Sequence, residues 1–316
     1  MKLLKLVPDN TNVDFMRWRN VALVLSLLAT LGSLALIGVR GLNLGIDFVG
    51  GQQVRVNFAQ PVGIEQLRAR VATFGVGDAT IQEFGGGKGY VIRLPRPDGP
   101  DAAANAVVTK VRALLPAAFP GAVVSAGESV SGKVSQELAK DGALAVLLAM
   151  IGIAVYIWIR FEWQFGVGAL VTLLHDVSMI FGFFAITQLP VDLNVVAAFL
   201  AVVGYSLNDT VVIYDRIREN LRKFRKMAII PLINLSLNET LSRTIVTSLS
   251  IMLALAMLLI LGPDVIFGLT LAILLGTFIG TYSSIYISAP ILVWLGVQPD
   301  SFLKFDDEDE PEAQPA

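Results

Sequence analysis

Six segments of the sequence are apolar and long enough to cross a lipid bilayer, and they constrain the fold more than any other feature. A spanning helix needs about 20 apolar residues, because each residue adds about 1.5 Å and the hydrocarbon core is about 30 Å thick. Charged residues make up only 16% of the chain, well below the proportion usual in soluble domains. The candidate spans are residues 21–39, 142–159, 165–186, 194–215, 238–261 and 267–295. The sequence therefore predicts a helical membrane bundle with six spans.

Basic residues are concentrated on one side of the predicted bundle. The N-terminal segment 1–20 and the segment 216–237 after the fourth span are rich in Lys and Arg, whereas the loops 187–193 and 262–266 contain neither. Because such basic segments stay on the cytoplasmic side, we expect 216–237 to be a cytoplasmic basic loop and both termini to be cytoplasmic. Tryptophan also favours the membrane–water interface. The tryptophans at span ends on this side are Trp18, Trp158, Trp163 and Trp294.

The two ends of the chain each allow a specific prediction. Residues 18–40 have a basic flank and an apolar core, which is compatible with a cleavable signal peptide or with a retained first span. The apolar core is long for a signal peptide and residues 36–40 make a poor cleavage site, so we expect a retained helix. The segment 296–316 contains a block of like charges, which predicts an acidic, disordered cytoplasmic tail.

The segment 40–141, between the first two spans, has the composition of a soluble domain and lies on the extracytoplasmic side in this topology. Alternating apolar residues predict strands, and apolar residues three or four positions apart predict helices. The predicted elements are strands at 52–58, 80–84, 89–94 and 122–125 and helices at 63–74 and 101–115. This βαββαβ order predicts a small α+β domain with a ferredoxin-like fold, which by itself identifies no function.

The sequence contains no pattern that predicts an enzyme, a metal site or a bound cofactor. The glycine-rich stretch 85–89 is not a phosphate loop, because Lys88 is followed by glycine rather than by Ser or Thr and because hairpin strands flank the stretch. The chain has no cysteine and His175 is its only histidine, so thiolate and multi-histidine metal sites are excluded. We expect no metal and no nucleotide to bind this chain.

Asp209 and Arg243 are ionisable residues placed inside predicted spans, which makes them candidates for a functional site. Asp209 lies seven residues before Arg216, or about 10 Å from that interface, and Arg243 lies four residues after Glu239, or about 6 Å from the same interface. Because a buried carboxylate is far less costly beside a guanidinium, the sequence predicts that Asp209 and Arg243 pair.

Two roles are open for this predicted pair. It is either a static ion pair that fixes helix register or a proton relay, in which Asp209 changes charge and the membrane potential drives the cycle. Polar side chains expected to support it are Tyr205, Ser206, Asn208, Thr247 and Ser250. In the third span, His175 and Asp176 form a second polar pair, which is either a secondary proton carrier or a hydrogen-bonded structural pair.

Small residues and basic residues complete the pattern of the spans. Gly276, Gly280 and Ser284 have a small-xxx-small spacing, which predicts close helix packing in the last span. The basic run 216–226 is interpreted as a topology anchor at the lipid headgroups, with anionic lipid or a ribosome as alternative partners.

Several separate motifs resemble those of the SecF family of bacterial protein-export membrane proteins, which belongs to the SecD/SecF group of the resistance-nodulation-division superfamily. The resemblance extends from about Val13 to Val297. Its motifs are Leu44–Gly51 (LGIDFVGG), His175–Asp176, the GYSLNDT stretch that opens Gly204–Asn220, and Leu237–Thr244 (LNETLSRT). The sequence departs from the family at Val130–Ser135, where a VGP-like segment is usual, and this leaves the geometry before the second span open.

The resemblance implies a six-span bundle of the resistance-nodulation-division type and a non-enzymatic function. It implies a subunit in the bacterial inner membrane that acts beside SecD and the SecYEG channel and uses the proton gradient late in export. The extracytoplasmic domain would contact the translocating polypeptide, and no nucleic acid would bind. Asp209 and Arg243 match the family's proton-responsive groups.

The signature turn formed by Gly45, Asp47, Gly50 and Gly51 is expected to let the chain turn sharply after the first span. In that turn, Asp47 is expected to cap or to hydrogen-bond local backbone. Two other functions remain as alternatives at this point: proton-driven efflux of small molecules by a member of the same superfamily, and a passive scaffold that stabilises a partner.

Overall fold

A computed structural model of the chain describes residues 8, 11–77, 79–84, 87–95, 101–125 and 127–298. The chain divides into two compact units. The membrane unit comprises the described residues of 1–42, 146–188 and 194–316, and the sheet unit comprises those of 43–145 and 189–193. Most of the predicted acidic tail therefore lies outside the described residues.

Within the described ranges, six helical segments are long and apolar enough to cross a membrane, as the sequence predicts. The helices in chain order are α1 (Arg19–Arg40), α2 (Ile46–Val49), α3 (Ile64–Ala72), α4 (Asp101–Ala118), α5 (Gly132–Arg160), α6 (Trp163–Thr187), α7 (Leu193–Lys223), α8 (Ile229–Leu261), α9 (Phe267–Ser283) and α10 (Ala289–Trp294). Five of the spans are α1, α5, α6, α7 and α8, and the sixth is formed by α9 and α10 with the π-helical turn Ser284–Ser288 between them.

Several helices extend beyond the apolar segments that predicted them. The helix α5 begins at Gly132 rather than at 142, α7 continues to Lys223, and α8 begins at Ile229. The basic loop predicted at 216–237 is therefore helical except at 224–228. Hydropathy marks where a span leaves the bilayer, whereas Arg, Glu, Leu and Lys are good helix formers in water and prolong the helix past that point.

Small residues bring the helices of the membrane unit into close contact. A Cβ added at Gly276 of α9 would lie 2.3 Å from a methyl carbon of Val202 on α7, and one added at Gly182 of α6 would lie 2.3 Å from the Ser33 hydroxyl of α1. The predicted close packing at Gly276 is confirmed. The first span is likewise an integral part of the bundle, because α1 packs along α6.

The segment before α1 is fixed to α8 by two asparagines. Phe15 and Met16, in the 3₁₀-helix Phe15–Trp18, are buried in the core of the membrane unit. Asn238 Oδ1 accepts a 2.8 Å hydrogen bond from the Val13 amide, and its Nδ2 donates at 2.9 Å to the Val13 carbonyl. Asn234 Oδ1 accepts from the Met16 amide at 3.0 Å. Both backbone groups of Val13 are thus satisfied by one side chain.

The sheet unit contains an antiparallel sheet on which α3 and α4 pack. Its strands are β1 (Gly51–Asn57), β2 (Thr80–Phe84), β3 (Gly89–Leu94), β4 (Val123–Val124) and β5 (Glu128–Val130), and the order of the first four is β2-β3-β1-β4. The predicted βαββαβ succession of elements is observed. Core side chains come from both layers, including Val54 and Ile92 from the sheet and Leu67 and Leu115 from the helices.

The strand predicted at 122–125 is observed as β4, and an additional strand, β5, follows it. The strands β4 and β5 pair with opposite ends of β1, at Val56–Asn57 and at Gly51–Gln53. Between them Gly127 has a φ of +77°, and a Cβ at this position would lie 2.5 Å from Val108 Cγ1. A glycine is required here because the chain changes direction against the packed helix.

The atypical segment 130–135 contains the end of β5 and the beginning of α5. The Ser131 hydroxyl accepts a 3.3 Å hydrogen bond from the Val134 amide, which is the contact of an N-cap. Ser135 is buried and donates to the Gly132 carbonyl at 3.0 Å. The departure from the family's usual sequence is therefore compatible with a regular, capped helix start.

Candidate functional site

Three helices of the membrane unit surround a small polar cavity that contains Asp209. Ser206 and Asp209 lie three residues apart on α7 and therefore face the same side. Ser248 of α8 and Thr281 of α9 contribute further hydroxyl groups to the lining. The volume is about 30 Å³, which is room for at least one water molecule.

Asp209 is held by hydroxyl groups rather than by a cation. Ser248 Oγ donates to Asp209 Oδ2 at 3.4 Å, and Thr281 Oγ1 donates to Ser248 Oγ at 2.8 Å. A carboxylate accepts about four hydrogen bonds, so one long bond leaves most of its capacity open to the cavity. The site is a partly buried acid whose hydrogen-bond donor is neutral and on which the charge of Arg243 acts from a longer distance.

The predicted ion pair between Asp209 and Arg243 is not formed. Across the described part of the chain, no ion pair within 4.0 Å joins them, and the Arg243 side chain is exposed. The interface estimate itself is supported, because Arg216 Nε lies 2.7 Å from Glu239 Oε2. Arg216 of α7 and Glu239 of α8 are therefore at the same depth. Asp209 lies level with Ser248, which is five residues, or about 7.5 Å, further along α8 than Arg243.

The prediction placed the wrong face of α8 against Asp209. Arg243 and Ser250 are exposed, and Thr247, at the cavity edge, donates at 2.9 Å to the Arg243 carbonyl of its own helix. A second polar stripe, Thr244 and Ser248, is buried instead. The two stripes are one residue apart, so hydropathy does not distinguish them, and only packing fixes the rotation of the helix.

His175 and Asp176 form a second, fully buried cluster. Asp176 is 1% exposed, and its Oδ1 lies 2.9 Å from His175 Nδ1. Its Oδ2 accepts hydrogen bonds from Ser206 at 2.5 Å and from Ser283 at 2.9 Å. A buried carboxylate in a bundle needs such donors, because leaving it unpaired costs several kcal/mol.

Ser206 belongs to both clusters, whereas Tyr205 and Asn208 do not reach the interior. Gly280 permits this arrangement, because a Cβ there would lie 3.2 Å from Ser206 Cβ. Tyr205 is 44% exposed and Asn208 is exposed, so both lie at the outer rim of the cavity. Ser248, Thr281 and Ser283 were missed by the sequence analysis, although the recurrence of Thr277, Thr281 and Ser284 at three- and four-residue spacing in the last span indicated a polar face.

Comparison with known proteins decides the family. The family model for the protein export membrane protein SecD/SecF, C-terminal, matches residues 110–298, and the SecD/SecF GG motif model matches residues 35–62. The chain belongs to the SecD/SecF family.

Named relatives in this family are similar over nearly the whole chain. A protein translocase subunit SecF from Cereibacter sphaeroides is 43% identical over 300 residues, covering 93% of this chain and 93% of the relative. Another from Pseudomonas aeruginosa is 39% identical over 305 residues, covering 96% and 98%.

Solved SecDF structures have the same architecture. The crystal structure of SecDF from Thermus thermophilus, described as a translocon-associated membrane protein, matches with a TM-score of 0.82 and 32% identity over 91% of this chain. SecDF in its super-membrane-facing form matches with a TM-score of 0.64 and 31% identity over 95%. This chain spans 39% and 40% of the length of those SecDF chains.

The GG motif of the SecD/SecF family contributes Gly50 and Gly51 to the sheet unit, whereas Asp209 belongs to the membrane unit. Gly50 and Gly51 have φ values of +74° and +115°, so the predicted sharp turn is present. Asp47 does cap backbone, but not locally, because its Oδ2 accepts a 2.9 Å hydrogen bond from the amide of Leu193, 146 residues along the chain. The motif thus contacts the first residue of α7.

Proposed function

We propose that this chain is the SecF subunit of a bacterial protein translocase accessory complex and couples proton movement to late steps of protein export. Asp209 binds and releases the proton. The observation that carries this proposal is the placement of a partly buried carboxylate in a polar cavity within the membrane unit, with a neutral hydrogen-bond donor and, among the described residues, no ion pair.

Among the described residues no cation lies within 4.0 Å of Asp209, and the charge of Arg243 acts on it only from a longer distance, which favours proton exchange over a static pair. An ion pair stabilises the charged carboxylate, whereas hydroxyl partners such as Ser248 serve either protonation state, since a hydroxyl both donates and accepts. A cavity of about 30 Å³ gives a water molecule access to the carboxylate. A proton that moves down the membrane potential supplies about 2.3 kcal/mol per 100 mV, which is enough to bias a helix rearrangement.

Arg243 acts in this scheme as a sensor of the charge on Asp209. Its position on α8 is about 7.5 Å from that of Asp209 in depth, and its side chain is exposed, so it is not locked in the present arrangement. Deprotonation of Asp209 attracts the guanidinium, and protonation removes that attraction. The helices α7 and α8 then have two favoured arrangements, which the proton selects.

The membrane unit requires a partner protein, because polar side chains within its spans face outward. Tyr205, Asn208 and Arg243 are exposed on α7 and α8, and exposed polar groups are unfavourable against lipid. We propose that SecD covers this surface, as expected for half of a repeat transporter. The SecYEG channel, the translocating polypeptide and membrane lipid are the further partners. The sheet unit lies on the extracytoplasmic side and both termini are cytoplasmic.

Small-molecule efflux is not favoured, because the matching family models and the named relatives are protein-export proteins. The passive scaffold is the remaining alternative function.

The deciding experiment compares Asp209→Asn with the matched control Asp215→Asn. The control alters an exposed acid on the same helix, which pairs with Arg160. Membrane vesicles that contain the assembled complex should lose proton-dependent export with Asp209→Asn and keep it with Asp215→Asn. Normal export and proton flux with Asp209→Asn in an assembled complex would leave only the scaffold.

A further inference from the structure

The signature turn is joined to the start of α7 by a short parallel bridge inside the sheet unit. Leu44 and Val191 are bridge partners. The Gly45 amide donates to the Val191 carbonyl at 2.7 Å, and the Val191 amide donates to the Asn43 carbonyl at 2.9 Å. A Cβ at Gly45 would lie 3.1 Å from the Val191 oxygen, so glycine allows the close approach.

Asp47 adds a charged contact at the end of this bridge. Its carboxylate accepts from the Leu193 amide at 2.9 Å, at the first residue of α7. The first amides of a helix lack partners within the helix, and the helix dipole places partial positive charge there. Asp47 therefore caps α7 from a distant part of the chain.

Arg93 ties the same segment to the middle of the sheet. From β3 it donates to Asn43 Oδ1 at 2.6 Å and to the Leu44 carbonyl at 2.9 Å. Burial lowers the pKa of the Arg93 guanidinium from its usual value, and the Asp192 carboxylate opposes that shift. Arg93 is thus held close to both strands of the bridge, to Asn43 and Leu44 on one and to Asp192 on the other.

We infer that Asp47 and Arg93 are positioning residues of a joint that fixes the start of α7 to the sheet unit and transmits displacement of that helix to the sheet. The inference rests on the proposed function, because Asp209 is on the same helix. The two are sixteen residues apart, or about 24 Å along an uninterrupted helix from Leu193 to Asp209. A continuous helix is stiff over this length, so the capped end moves with the proton site.

One substitution can remove the cap on α7, and a pair of cysteines can link the two sides of the bridge covalently. Asp47→Ala removes the cap, and Glu65→Ala is the matched control, since Glu65 is an exposed acid of α3 that pairs only with Arg68 among the described residues. The pair Leu44→Cys and Val191→Cys places a disulfide across the bridge, where the Cα atoms of neighbouring strands are about 5 Å apart. The chain has no other cysteine, so this disulfide forms without competition.

In vesicles with the assembled complex, Asp47→Ala should reduce export by about tenfold, in the usual range for coupling between sites, while proton flux persists. Amide exchange at Leu193 should become roughly fivefold faster. Oxidation of the cysteine pair in the Asp47→Ala background should restore export, and reduction should return it to the level of Asp47→Ala alone. A merely structural defect would lower flux and export together.

Two results would contradict the inference that this joint transmits movement: full export with Asp47→Ala, or no recovery of export when the disulfide has formed. Failure of the proposed function would give a different result. Asp209→Asn would then retain proton flux, independently of the effect of Asp47→Ala.

Discussion

The hydroxyl of Ser206 donates a 2.5 Å hydrogen bond to Asp176, and the same residue lines the cavity that holds Asp209. One residue of α7 thereby connects a fully buried acid on α6 with a partly buried acid on its own helix. Because Ser206 is itself 3% exposed, this connection is part of the bundle core rather than of its surface.

Replacing Ser206 with Ala should destabilise the membrane unit by about 1–3 kcal/mol, because Asp176 loses one of its buried donors. Thermal unfolding in detergent measures the change. Ser178→Ala is the control, since within the described ranges the Ser178 hydroxyl donates only to the Leu174 carbonyl of its own helix. Equal stability of the two variants would show that the Ser206 contact contributes nothing.

A side chain at Gly276 should force α7 and α9 apart. The Cβ of Gly276→Ala would lie 2.3 Å from Val202, and such overpacking costs about 1–3 kcal/mol. Adding Val202→Ala should recover much of the loss, because it removes the methyl carbons in the way. Gly152→Ala on α5, with no atom within 4 Å of the added carbon, should be close to neutral. If the double variant is no more stable than Gly276→Ala alone, the close contact is not what limits packing.

Replacing Asn238 with Ala should release the segment before α1. Both hydrogen bonds to Val13 are lost, and at about 1 kcal/mol each they correspond to a roughly 30-fold change in the local opening equilibrium. Hydrogen–deuterium exchange at residues 13–16 measures it. Asn105→Ala, at an exposed position of α4, should leave that exchange unchanged, and slow exchange in both variants would contradict the clamp.

The sheet unit should lose stability at alkaline pH through Tyr90. Burial, and secondarily the charge of Glu83, raises the pKa of Tyr90 above its usual value of about 10, and its hydroxyl donates to the Val62 carbonyl. The folded state holds this proton more tightly than the unfolded chain. The contribution of the Tyr90 hydroxyl to the free energy of unfolding is therefore complete below about pH 10 and is lost as pH rises through the folded pKa.

With Tyr90→Phe, the stability of the sheet unit should therefore fall less steeply than in the wild type between roughly pH 10 and pH 12. The measurement is hydrogen exchange of the β1–β3 amides in the intact protein over that range. Tyr156→Phe, at an exposed position of α5, is the control and should keep the wild-type slope. Identical slopes for all three proteins would remove Tyr90 as the cause.

The six spans, the βαββαβ succession and the family were accessible from the sequence. Each depends on local composition or on short motifs such as LGIDFVGG, which are read without knowing which segments touch. The candidate acids Asp209 and Asp176 were accessible for the same reason, because an ionisable residue inside a hydrophobic stretch is visible as such.

Only the tertiary structure decided which groups surround these acids. The rotation of α8 places Ser248 rather than Arg243 beside Asp209, and a rotation by one residue is invisible to hydropathy. Ser206 and Ser283 converge on Asp176 from two other helices, and Asp47 caps Leu193 across 146 residues. Such contacts depend on how helices pack and on where the chain returns, which are non-local properties, whereas a span is determined by the transfer of its own residues from water to lipid.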